Sequence, residues 1–236
     1  MKHLILLASL LALVACDNSS SSRGPVTPPS PVPPPNASFD ISAVNLTTAQ
    51  PLSPLAVLIH DDSMQAFSIG QPASAGLEQL AESGNNSDLL AELDSSAEAS
   101  GSAVLSPGTG ETITLELPSD STSGLQLTIV AMLVNTNDAI TAINGLNIAS
   151  IGVGESMVIY GASYDSGTEA NTETAATIPG PAGGGEGFNA SRDDVSDQVT
   201  GHGGVVTSDD GLSTSVLSHQ HRWDNPVARF IVTRTQ

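Results

Sequence analysis

The stretch from Leu125 to Glu169 reads LQLTIVAMLVNTNDAITAINGLNIASIGVGESMVIYGASYDSGTE, and its apolar runs, each ending in an acidic loop, decide the fold. Leu125 to Val134 is a near-continuous run rich in Leu, Ile and Val, the pattern of a strand buried on both faces. It stops at the polar tetrad Asn135, Thr136, Asn137 and Asp138. Ser156 to Ser163 reads as a second strand of the same kind. It runs into a loop in which Gly167, between Asp165 and Glu169, lets the backbone fold tightly. If the two strands lie in one sandwich, their loops gather at one end. The carboxylates of Asp138, Asp165 and Glu169, with bare loop carbonyls, would then suit a hard cation such as Ca²⁺.

Outward from this stretch, strand patterns dominate. FDISAVNLT from Phe39 alternates apolar and polar residues, and PLAVLIHD follows as a more buried partner after the turn at Pro51 to Pro54. ETITLELP places Ile113, Leu115 and Leu117 on one face, and VARFIVTRT closes the chain as a strand. Asn144-Gly145 reads as a tight turn inside the Asp138 to Ile148 segment. Between Ala75 and Ser96 the apolar spacing becomes helical, giving two short helices broken at Gly84-Asn85-Asn86. Thr172 to Ser215 is rich in Gly, Ser, Thr and Asp and predicts long loops. The expected fold is therefore all-β, an antiparallel β-sandwich with a small helical insertion, spanning residues 39–236 as one domain.

The start of the chain is of another kind. Lys2 and His3 precede an apolar run from Leu4 to Val14, and Leu13-Val14-Ala15-Cys16 has the form of a lipobox. Residues 1–15 are thus expected to be a lipoprotein signal peptide, and Cys16, the only cysteine, the lipidated residue; an ordinary signal peptide with an incidental cysteine is the alternative. A single cysteine also excludes an internal disulfide. Residues 16–38 then form a Ser- and Pro-rich tether, whose polyproline stretch can reach up to roughly 60 Å. The expected location is the bacterial cell envelope, held to a membrane through the lipid anchor alone, with the membrane and its face left open.

The formal net charge is −19, and without residues 1–15 it becomes −20, since 25 acidic residues then face five arginines and no lysine. Such a surface repels nucleic acid and anionic headgroups, and favours divalent cations or basic partners. Solubility alone is the plainer account of most of these charges. Catalytic signatures are scarce: there is no G-x-S-x-G elbow, H-E-x-x-H pair or phosphate-binding loop, and the one thiol belongs to the anchor. His60 beside Asp61 and Asp62 is either part of a dispersed triad or a strand-end turn. His219-Gln220-His221 would, on a strand, put two imidazoles on one face for a transition metal, with His202 as a further donor. In loops these are ordinary surface histidines. Trp223, the only tryptophan, is expected to anchor packing before the last strand.

Four segments, VNTNDAITAINGLNI, YDSGTEANTE, SIGQPASAGLEQLAESGNNSDLLAEL and NPVARFIVT, together resemble bacterial spondin-domain proteins, over about Phe39 to Thr235. The resemblance implies a C2-like sandwich related to the F-spondin domain of animals, which binds Ca²⁺ through a loop Asp and two acidic positions of a D-A-G-T-D motif. The matching positions are Asp138, Asp165 and Glu169. Here Glu169 replaces an Asp, Tyr164 stands where Trp is usual, and the disulfide cysteines of the animal domain are missing. The function implied is non-catalytic: an adhesion-like module presenting loops to an extracytoplasmic protein or glycan. A hydrolase with a dispersed site and a structural envelope component are the alternatives.

Overall fold

The computed structural model describes residues 33–236, so the expected signal peptide, Cys16 and most of the expected tether lie outside the described residues. From Pro34 to Gln236 the chain forms one compact unit. Its strands are β1 (Ser38–Asn45), β2 (Ala56–Asp61), β3 (Ala97–Ser100), β4 (Gly110–Glu116), β5 (Leu125–Met132), β6 (Ala139–Asn147), β7 (Ser156–Asp165), β8 (Thr200–Gly201) and β9 (Ala228–Arg234). They pair antiparallel in the order β3-β2-β5-β6-β7-β9-β1-β4, with β8 branching from β7. The fold is an all-β sandwich with a small helical insertion.

The sandwich is one sheet folded on itself at β7. Ser156 to Gly161 pair with β9 in the first layer, and the next residues, Ala162 to Asp165, pair with β6 in the second. Gly161 sits at this switch because nothing larger fits: a Cβ there would stand 2.5 Å from Thr141 Oγ1 and 3.0 Å from the Phe230 ring. Between the layers, Phe39, Ile41, Ile113, Phe230 and Val232 pack against Val57, Ile59, Leu127, Ile129 and Ala131 in one core. The opposite face of β5 and β6 carries Val130, Met132, Ile140 and Ala142, which α1 (Ala75–Ser83) and α2 (Ser87–Glu92) cover with Leu77, Leu80, Ala81 and Leu89.

The helices therefore explain why β5 is apolar on both faces from Ile129 onward: its two faces meet two different cores. Ser74 caps α1 by accepting the Leu77 N–H, and Gly84, at φ 73°, ends it by donating to the Leu80 carbonyl. No helix of the described residues is long and apolar enough to cross a membrane.

Two readings need correction. Only one face of β7 is in the core, and Val158 and Tyr160 are more than half exposed, because the outer face of the first layer has no helix over it. Asn144-Gly145 makes no turn. It lies within β6, opposite a register shift between Leu127 and Ile129, and Gly145, at φ 83°, donates its N–H to Thr128 Oγ1. The local chemistry of a turn dipeptide also suits a bulge.

The close approach at the layer switch gives a direct test. Gly161→Ala should cost about 1–3 kcal/mol in urea unfolding with an unchanged m-value. Gly201→Ala, where an added Cβ meets nothing within 4 Å, should stay within about 0.5 kcal/mol.

Candidate functional site

The polar tetrad after β5 does not face water. Asn135, Thr136, Asn137 and Asp138 are all buried, and each is tied to the loops around it. Gln50 Nε2 donates to the Asn135 carbonyl, while the Asn135 N–H donates to Gln50 Oε1. Thr136 Oγ1 donates to the Leu133 carbonyl and accepts the Ala139 N–H, closing the turn that leads into β6. Asn137 Nδ2 donates to Glu169 Oε2, and Asn137 Oδ1 accepts the Glu173 N–H. A buried turn bonded on several sides is rigid, and it fixes where its last residue points.

That residue is Asp138, 0% exposed. Its Oδ2 accepts the N–H groups of Thr168 at 2.7 Å and Glu169 at 3.0 Å, and the Ser166 hydroxyl at 2.9 Å. Asp138 thus ties down the loop that follows β7. Its other oxygen, Oδ1, is buried with no hydrogen-bond partner among the described residues. Asp165 is next to it, since Ala139 pairs with Asp165 across β6 and β7. Asp165 accepts the Gly167 N–H and an Asn171 amide N–H.

The sandwich therefore brings Asp138 and Asp165 together, as their places at strand ends predict. Glu169 is adjacent through its backbone, but its carboxylate is bonded to Asn137, and the strongest like charge on it is Glu82 of α1.

Two residues that sequence reasoning left out of the acidic loops join them. Glu173 is 1% exposed; its Oε1 accepts the Val206 N–H, and its Oε2 has no partner among the described residues. The acids bearing on its charge are Asp138 and Asp165. His202, just past β8, donates its backbone N–H to the Ser163 carbonyl, which sets its side chain on the same face of the sheet as Asp165. A usable signal existed for Glu173: it continues the spacing Asp165, Glu169 at four residues in the segment YDSGTEANTE. None existed for His202, which sits in a stretch with no periodicity.

The electrostatics follow from burial. Desolvation pushes the Asp138 carboxyl up to about 6, with the Asp165 charge adding to it and the N–H bonds from Glu169 and Thr168 opposing it. It pushes Glu173 to about 7 and Glu169 to about 8, and it raises Glu82. Burying several carboxylates within reach of each other is costly without a compensating positive charge. No arginine of the described residues forms an ion pair with these acids: Arg192 is bonded to Glu78 and Asp197, Arg222 to Asp210, and Arg229 and Arg234 have no carboxylate partner.

A buried, unpartnered carboxylate oxygen such as Asp138 Oδ1 is the donor type that Ca²⁺ takes. Among the described residues no three His, Cys, Asp or Glu side chains are already set around one point as metal ligands; the carboxylates lie against loop N–H groups instead.

The histidines behave differently from the strand reading of His219-Gln220-His221. These residues form a single 3₁₀ turn, in which exposed His219 contacts Asp209 and buried His221 accepts the Ser218 N–H, so the two rings do not share a face. His60 is buried at the end of β2, with Nε2 on Thr128 Oγ1 and Nδ1 on the Asp61 carbonyl. Trp223 does anchor packing: it joins the main core, stacks 5.2 Å from His202 and donates to Ser163 Oγ. No model of a known protein family matches the chain, and no curated protein matches it either.

The two roles of Asp138, acceptor and charge, can be separated in chelator. Asp138→Asn keeps an acceptor oxygen and should change stability by no more than about 1 kcal/mol, whereas Asp138→Leu strands the buried N–H groups of Thr168 and Glu169 and should cost about 2–5 kcal/mol in denaturant melts.

Proposed function

We propose that this protein is a non-catalytic, spondin-like binding module of the cell envelope, lipid-anchored at Cys16, whose loop end is ordered by Ca²⁺ and presented to an extracytoplasmic protein or glycan. The observation that carries the reading is the buried acidic end of the sandwich, where Asp138 leaves one oxygen unpartnered beside Asp165, with Glu169 on the adjoining loop. In this reading Asp138, Asp165 and Glu169 supply side-chain oxygens, and loop carbonyls and water complete the 6 to 8 ligands that Ca²⁺ takes.

A binding role is favoured over a dispersed hydrolase because His60, the one histidine flanked by acids in sequence, spends both ring nitrogens on partners inside the fold. It is also 1% exposed, out of reach of a substrate. Lipid anchorage follows from the apolar leader, Ala15 and the lone Cys16, and the Pro-rich tether gives the domain reach.

Because the cation would bind the folded state only, Ca²⁺ at 100 to 1,000 times its dissociation constant should raise stability by roughly 2–4 kcal/mol, and Asp138→Asn should remove most of that gain. Envelope proteins or glycans retained by the immobilised wild-type protein in Ca²⁺, and released by chelator, would identify the partner. Equal melting temperatures in Ca²⁺ and chelator at matched ionic strength, or reproducible turnover in a hydrolase screen, would overturn the proposal.

A further inference from the structure

Neither the strand ends nor the family resemblance assigns a role to Glu173. It is held in a conformation that needs explaining: φ is 56°, in the left-handed region that a residue with a side chain rarely adopts. Two backbone bonds fix it there, from the Glu173 N–H to Asn137 Oδ1 and from the Val216 N–H to the Glu173 carbonyl. Strain of this kind persists where surrounding bonds over-determine it, and it concentrates at ligand clamps. Its result here is a carboxylate with Oε1 on the Val206 N–H and Oε2 buried and unpartnered, as is Asp138 Oδ1. An ionised carboxylate has acceptors only, so each of these oxygens needs a proton, a donor or a cation to satisfy it.

His202 narrows the choice. Its Nδ1 accepts the Gly204 N–H at 3.0 Å, which puts the lone pair on Nδ1 and the ring proton on Nε2. A nitrogen carrying a proton is not a metal ligand, and His202 Nε2 is buried with no hydrogen-bond partner among the described residues, so the atoms left to face an ion are oxygens. An oxygen-only set favours a hard ion over zinc or copper.

We propose that Glu173 is a carboxylate ligand of the cation, its Oε2 facing the ion together with Asp138 Oδ1 and an oxygen of Asp165, and that His202 borders the site without ligating. The inference rests on the Ca²⁺ reading above. Binding draws Asp165 off Asn171 or Gly167 and pulls the three loops together at the end of β6, β7 and β8.

The test is calorimetric titration of Ca²⁺ into the chelator-stripped protein, with the melting temperature in chelator measured alongside. Glu173→Gln keeps the size and the Val206 bond but removes the charge, so it should weaken Ca²⁺ at least about tenfold. It should also raise the melting temperature in chelator, because a buried like charge is gone; a carboxylate that does not face the ion would leave Ca²⁺ affinity unchanged. His202→Gln should leave Ca²⁺ affinity within about threefold of wild type, a difference below 1 kcal/mol. Wild-type Ca²⁺ affinity in Glu173→Gln, with binding lost in Asp138→Asn, would overturn this inference and leave the Ca²⁺ reading standing. No Ca²⁺ binding by the wild-type protein would overturn both.

Discussion

The buried turn from Asn135 to Asp138 is the constraint on which the functional end depends. A polar tetrad placed directly after an apolar strand would normally be solvated, yet here Gln50, Leu133, Ala139, Glu169 and Glu173 all bond to it. The loop after β7 and the segment at Glu173 are therefore both referenced to one rigid turn. The tight bonds of Asp138 Oδ2 fix the loop after β7, and Asn137 fixes Glu173. The arrangement gives a shape with carboxylates inside it, and the energetic question becomes what offsets their burial.

Hydrogen bonds offset part of it. Asp138 gains three close donors on one oxygen, and each charge-assisted bond is worth more than a neutral one. They do not reach Asp138 Oδ1 or Glu173 Oε2. With no lysine beyond Lys2, and with the arginines near this end engaged elsewhere, the divalent ion proposed above would be the compensating charge. The sandwich holds together without a disulfide through its two cores, one between the layers and one under the helices.

Much of this was legible in the sequence. The double apolar face of Leu125 to Val134, the helical break at Gly84 and the convergence of Asp138 with Asp165 all follow from periodicity and from where the strands stop. The misreadings have physical causes. Ser156 to Ser163 is apolar enough to pass for a doubly buried strand, but which faces are covered depends on where the helices dock, a tertiary fact. Asn144-Gly145 satisfies a bulge as well as a turn. Glu173 and His202 lie in the Gly- and Ser-rich stretch, where no period links sequence position to direction, and their placement is set by single bonds to Asn137 and Ser163. The like charge that Glu82 brings to bear on Glu169 likewise comes from the helical insertion.

The most direct measurement is a high-resolution crystal structure grown in millimolar Ca²⁺, read at the position between Asp138 Oδ1, Asp165 and Glu173 Oε2. The account predicts a density peak heavier than water, ringed by six to eight oxygens at about 2.3–2.6 Å. An ordered water there, with three neighbours at about 2.7–3.0 Å, would satisfy the same buried oxygens without a cation and would contradict it.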